Sequence, residues 1–179
     1  MIVMGLDCST KSSGWAIFEE NELIDYGVIK SIMSDWRERL FHQGLMLGEI
    51  IDKYKPEKIY MEDVPLYHAG VQNRGSKVLM MLGAVQGLIY GVAASRGINI
   101  EFLQPSAWRS PLGLFDGTKQ GTHRDEMKKK SVEKANKLFG LELIYKSPSS
   151  KFNEDDVSDA ILVAYSQVGP RTFGKKVDK

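Results

Sequence analysis

The sequence predicts an α/β fold centred on a five-stranded mixed sheet, three antiparallel strands plus two parallel ones, flanked by helices. Three observations predict it. Short apolar runs separated by turn residues fill the amino-terminal part. Helical periodicity then alternates with two more short apolar runs, the pattern of parallel additions to a sheet. Two helix-length stretches, one strongly basic, close the chain.

The first three runs are Ile2 to Asp7, Gly14 to Glu19 and Leu23 to Ile29, joined by the turn-rich Cys8 to Ser13 and by Glu20-Asn21-Glu22, which reads as an antiparallel meander. Residues 35 to 54 place Trp36, Leu40, Leu47, Ile51 and Tyr54 at helical spacing, and Pro56 ends the helix. Lys58 to Glu62 gives a fourth strand, residues 76 to 95 an apolar helix, and Ile98 to Leu103 a fifth strand. Residues 104 to 122 form a long loop that nevertheless holds Trp108, Arg109 and Phe115, and long loops with such content carry function. His123 to Phe139 reads as a basic amphipathic helix and Asn153 to Val168 as a closing helix.

Residues 1 to 168 are expected to form a single domain, and residues 169 to 179 a flexible basic tail. The apolar stretch from Val78 to Ala94 falls short of the roughly 20 residues a bilayer requires. It is expected to be a buried helix rather than a membrane span. One cysteine, Cys8, leaves no internal disulfide, and no clustered Cys and His residues suggest zinc. A cytoplasmic protein with no membrane partner is the expectation, because the amino terminus lacks the pattern of a signal peptide. Net charge is +1, yet basic side chains outnumber acidic ones from residue 104 onward, even with four acids gathered at 154, 155, 156 and 159.

Those acids carry the chemistry. Asp7 and Glu62 each stand at the carboxyl end of a predicted strand, where ligand sites of open α/β sheets form. Asp156 and Asp159, three residues apart, share a face of the last helix, although adjacent Asp155 is an alternative to Asp156. Four converging carboxylates repel one another unless a cation neutralises them. All-oxygen ligands favour Mg²⁺, two ions being expected, with Mn²⁺ as substitute. Two such ions suit in-line attack of water on a phosphodiester. Taken singly, each acid reads more readily as a turn residue or a complement to a helix dipole, and it is their combination that points to a metal site.

Met4-Gly5-Leu6-Asp7-Cys8-Ser9-Thr10 to Gly14-Trp15-Ala16, then Ile59-Tyr60-Met61-Glu62, then Asp156-Val157-Ser158-Asp159-Ala160-Ile161 resemble, in that order, the motifs of the RuvC family of Holliday-junction resolvases. The resemblance covers nearly the whole chain and implies a ribonuclease-H-like fold. It implies a magnesium-dependent endonuclease that resolves four-way DNA junctions by symmetric nicks, leaving 5′-phosphate and 3′-hydroxyl ends. By it, Asp7, Glu62, Asp156 and Asp159 are catalytic metal ligands, and Lys129 resembles the helix lysine held near the scissile phosphate, with Lys128 and Lys130 as alternatives. Arg109 resembles a basic position facing DNA, and Tyr67 an aromatic probing the junction centre, unless it caps the core. The family acts as homodimers. Gly83, Gly87 and Gly91, at four-residue spacing, would provide a smooth helix face for a twin or equally for the sheet.

A related nuclease acting on RNA–DNA hybrid or flap substrates shares this metal chemistry, and a junction-binding protein without catalysis shares the fold. An actin-like or sugar-kinase-like ATPase, suggested by Asp7-Cys8-Ser9-Thr10, needs two lobes where this length supplies one. The residues do not indicate the cut-site sequence or whether a branch-migration machine is a partner.

Overall fold

The computed structural model describes residues 1–63, 76–114 and 123–169. Its elements are β1 (Ile2–Cys8), β2 (Ser12–Glu19), β3 (Glu22–Lys30), α1 (Trp36–Tyr54), β4 (Lys58–Glu62), α2 (Ser76–Ala94), β5 (Asn99–Leu103), α3 (Pro105–Arg109), α4 (Arg124–Phe139) and α5 (Asp155–Val168). The sheet order is β3-β2-β1-β4-β5. β1 pairs antiparallel with β2, and β2 with β3, while β1 pairs parallel with β4 and β4 with β5. The mixed five-stranded sheet is thus the one that the sequence predicts.

Side chains alternate across a strand, so each strand feeds both faces of the sheet. On one face Val3, Ala16, Phe18, Tyr60 and Leu103 pack with α3, α4 and α5 through Trp108, Val132, Val157 and Ile161. On the other, Met4, Leu6, Ile17, Ile59 and Met61 pack with α1 and α2 through Leu47, Ile51, Val85, Ile89 and Ala93. This alternation has a direct consequence. Asp7 lies in step with Val3 on β1, and Glu62 with Tyr60 on β4, so both carboxylates are directed to the α5 side.

Local chemistry explains the helix limits. Asp35 caps α1 by accepting from the backbone N–H groups of Arg37 at 2.8 Å and Glu38 at 3.3 Å. Lys55 then turns left-handed at φ 49° and Pro56 prevents continuation.

Two expectations need correcting. The segment after β5 begins not as loop but as the short helix α3, for which Pro105 has the preset φ and no N–H to satisfy. More consequentially, α2 is not a buried helix. The stripe Val85, Ile89 and Ala93 is covered by the sheet, whereas Val78, Met80 and Tyr90 are exposed. A Cβ on Gly83, Gly87 or Gly91 would meet nothing within 4 Å, so the glycine face turns away from the sheet. At 19 residues, α2 is also long and apolar enough to cross a membrane by length and composition alone. The observation against that role is its packed stripe, not its length.

Candidate active site

Register brings the first two acids together. Leu6 pairs with Met61 across the parallel β1–β4 ladder, so the next residues, Asp7 and Glu62, emerge side by side at the carboxyl ends of both strands. Two glycines then let α5 settle directly on the sheet. A Cβ on Gly5 would stand 2.1 Å from the Ala160 carbonyl oxygen, and one on Gly14 only 1.9 Å from that of Asp156. Gly14 is the β2 partner of Asp7, so the first turn of α5 sits over the Asp7 end of β1. Asp156 and Asp159 arrive above Asp7 by this close approach.

The turn beside Asp7 is tied down from α1. Arg39, buried, donates to the carbonyls of Thr10, Met33 and Ser34 at 3.2, 3.0 and 2.7 Å, and Gln43 donates to the Ser9 carbonyl at 3.2 Å. Ser9 Oγ closes the turn on the Ser12 carbonyl at 2.8 Å. The strand end that presents Asp7 is therefore fixed.

From the opposite side, β5 delivers α3. Trp108, with no exposed surface, is anchored in the core and donates its indole N–H to Glu62 Oε2 at 2.8 Å. Arg109 lies over the Trp108 ring, 4.4 Å from its centroid, and its Nη2 reaches Glu62 Oε2 at 3.0 Å and Asp159 Oδ2 at 3.3 Å. Arg109 is thus turned inward onto the acids, its side chain 16% exposed.

The electrostatics are those of a charge excess. Loss of water, then Asp159, Asp156 and Glu62, hold the Asp7 carboxyl well above its ordinary value despite Arg109. Burial raises Glu62 and Asp159 too, with Arg109 as the main opposing influence, and raises Asp156 against a hydrogen bond from Ser12. Burial and the adjacent Asp7 also push the Cys8 thiol up, so Cys8 is a neutral filler. Asp159 Oδ1 is buried with no hydrogen-bond partner. An orphaned buried carboxylate oxygen among three more acids fits a hard divalent cation. Among the described residues no three side chains already stand in a ligand arrangement, and Arg109 lies between two of the candidates.

The raised carboxyls set a sign for the dependence of stability on pH. A carboxyl whose folded pKa exceeds its unfolded one binds more protons when folded, so stability falls as pH rises through that interval. Arg109, Lys128, Asp155 and Cys8 face the same region and move the balance without reversing it. Without divalent ions, melting is expected at a higher temperature at about pH 5.5 than at about pH 7.5. Mg²⁺ at about 100 times its Kd would add about 2.7 kcal/mol at the higher pH, roughly 5–10 °C for a chain of this size. Calorimetry showing no pH difference in EDTA would remove the charge-excess argument.

The three lysines separate clearly. Lys128 forms an ion pair with buried Asp155; Lys129 is 62% exposed and 3.8 Å from Glu133; Lys130 is 3.1 Å from Glu126. Burial opposes the charge of Lys128, but the bond to Asp155 prevails and keeps the ammonium above its ordinary pKa. Asp155 is thereby engaged with α4; Asp156 ranks among the neighbours raising Asp7, while Asp155 ranks among those raising Asp159. Tyr67 lies outside the described residues. One contributor escaped the sequence reading of the site: Trp108, visible only as a tryptophan in a polar loop. Asp63, next along the chain from Glu62, accepts from Gln86 at 3.2 Å and Gln104 at 2.8 Å.

Carboxylates thus gather at the strand ends of a ribonuclease-H-like sheet. Comparison with known proteins identifies the family. Residues 3–122 match the family model described as crossover junction endodeoxyribonuclease RuvC, and the chain belongs to the RuvC family. It is 25% identical over 171 residues to the RuvC of Rickettsia bellii, covering 93% of this chain and 96% of the relative, and 27% identical over 171 residues to that of Orientia tsutsugamushi, covering 93% and 94%. Thermus thermophilus RuvC in complex with a Holliday junction substrate superposes with a TM-score of 0.68 at 16% identity, covering 93% of this chain and 92% of that one. The yeast mitochondrial Holliday junction resolvase gives 0.58 at 16% identity, covering 92% and 76%. These structural likenesses concern the fold.

Proposed function

We propose that the protein resolves four-way DNA junctions by metal-dependent hydrolysis of one phosphodiester in each of two opposed strands. The observation that carries the proposal is the convergence of Asp7, Glu62, Asp156 and Asp159, with Asp159 Oδ1 unpartnered, on the fold of a family named for this cleavage. These four would hold divalent ions, Mg²⁺ with Mn²⁺ as substitute. Such ions supply Lewis acidity and lower the pKa of a bound water to that of a usable nucleophile.

The chain's own residues do the rest. Trp108 fixes the Glu62 carboxylate through its indole N–H, and the Arg39 and Gln43 ties hold the strand end bearing Asp7. Lys128, charged and beside the acids, is suited to a phosphate oxygen next to the cleaved bond. Water adding to phosphorus and breaking the P–O3′ bond, with a proton going to the departing O3′, leaves 5′-phosphate and 3′-hydroxyl ends. Lys128→Ala is expected to slow cleavage by about 10²-fold, the scale of one lost transition-state charge contact. Lys129→Ala should change it far less, since Lys129 faces solvent. Single-turnover rates reversing that order would remove Lys128 from this role.

Two opposed nicks call for two sites, and we assign the second to a second copy docked on α2. Its uncovered glycines and exposed Val78, Met80 and Tyr90 adjoin α1, whose Phe41 and Leu45 are also exposed. Sedimentation should report a dimer that Met80→Lys weakens by about 10-fold or more, an introduced charge being costly in an apolar interface. A wild-type monomer at micromolar concentration would reject this assembly.

Resolution itself is tested by incubating the protein with end-labelled four-way junction, linear duplex, flap and RNA–DNA hybrid, each in Mg²⁺ or EDTA. Paired nicks confined to the junction and to Mg²⁺ are expected. Preference for hybrid or flap would assign another substrate, junction binding without cleavage would make the protein a binding module, and cleavage in EDTA would exclude the metal chemistry.

A further inference from the structure

Arg109 holds an unusual seat. Its guanidinium bridges Glu62 Oε2 and Asp159 Oδ2, two oxygens proposed as metal ligands, at 3.0 and 3.3 Å. Yet the seat is only half satisfied. Arg109 Nε is buried with no acceptor, and Asp159 Oδ1 is buried without a hydrogen bond of ordinary geometry, the Ser131 hydroxyl being a neighbouring polar group that draws the Asp159 pKa down. A permanent structural ion pair in a protein interior satisfies its remaining hydrogen-bonding atoms, because each one left orphaned costs stability. This bridge leaves one orphan on either side.

We infer that Arg109 is a built-in counter-cation that closes the metal site of the DNA-free enzyme and withdraws when divalent ions load. Charge balance requires a cation here. In the DNA-free structure Lys128 pairs with Asp155 and Arg124 acts on Glu62 only through space, whereas the Arg109 guanidinium touches both Glu62 and Asp159 and faces Asp7. A divalent ion seated on the same oxygens repels the guanidinium and competes for its acceptors, so the two cannot share Glu62 and Asp159. The anchorage around Arg109 permits withdrawal. Trp108 is locked in the core, but Arg109 is the last residue of the five-residue α3, and the turn beyond it closes with Gly113 at φ 69°. Released, a guanidinium matches a phosphate of bound DNA through paired N–H donors. Metal and DNA then raise each other's affinity by the same factor, since each makes room or charge for the other.

The inference rests on the metal-site reading above, and the test separates the two. Mn²⁺ binding to the full chain without DNA is measured by calorimetry for the wild type, Arg109→Gln and Arg109→Lys. Removing the competing charge should lower the Mn²⁺ Kd of Arg109→Gln by ~10-fold or more, with Arg109→Lys between it and the wild type. A second readout needs no variant. In the wild type, Mn²⁺ should accelerate phenylglyoxal modification of Arg109, followed by peptide mass spectrometry, because the withdrawn guanidinium becomes accessible. Equal or weaker Mn²⁺ binding by folded Arg109→Gln overturns the inference, as does Mn²⁺ that leaves the modification rate unchanged or lowers it. If neither wild type nor Arg109→Gln binds Mn²⁺, the metal-site reading fails and this inference falls with it.

Discussion

Asp7→Asn is expected to lower junction cleavage by at least ~10³-fold, about 4 kcal/mol of lost transition-state stabilisation, while junction binding persists and the metal-free protein melts no lower. Asp7 stands at the centre of the acid set, with Asp159, Asp156 and Glu62 all raising its pKa. Asparagine keeps the shape and removes the charge that a hard cation requires. The same substitution relieves repulsion in the empty site, so catalysis and stability should move in opposite directions. Separation of the two effects is the informative part. A variant that loses cleavage because it no longer folds would melt earlier, and a variant cleaving within ~10-fold of wild type would take Asp7 out of the metal site.

Gly14→Ala is expected to have the second largest effect, although residue 14 touches no substrate. The new methyl would stand 1.9 Å from the Asp156 carbonyl oxygen, a backbone atom that has no alternative rotamer. Either β2 or α5 must shift. Overpacking of this kind costs about 1–3 kcal/mol or more, and a displacement of ~1 Å at the reacting groups costs ~10²-fold in rate. Denaturant titration and cleavage rates measured together test this. Unchanged stability and unchanged cleavage would mean that α5 does not rest on β2 as described. Gly5→Ala, with its Cβ 2.1 Å from the Ala160 carbonyl oxygen, should behave similarly.

The fold was legible because its signals are local. Strand alternation and the short turn of the meander set the antiparallel strands, and helix–strand alternation sets the parallel ones. Asp7 and Glu62 could be read from strand ends for the same reason. The choice between Asp155 and Asp156 could not. Both precede Asp159 by about one helical turn, and only the position of Lys128 on a separate helix, α4, distinguishes them. Three consecutive lysines are similarly opaque, since the direction of each depends on how α4 packs. Hydropathy identified α2 but not its covering, because an apolar side chain reads the same against the sheet or against a second subunit. Arg109 was least legible of all. A basic residue in a nucleic-acid enzyme suggests an outward, DNA-facing role, and its inward turn follows from α3 and the burial of Trp108, neither of which has a strong local signature.

The carboxylates come from positions 7, 62, 156 and 159, and α5 lies on β1 and β2 through the glycines that admit it. Such an arrangement makes the site only as durable as the docking of α5. When that helix lifts from the sheet, two of the four carboxylates leave with it, while Asp7 and Glu62 stay side by side on their paired strands.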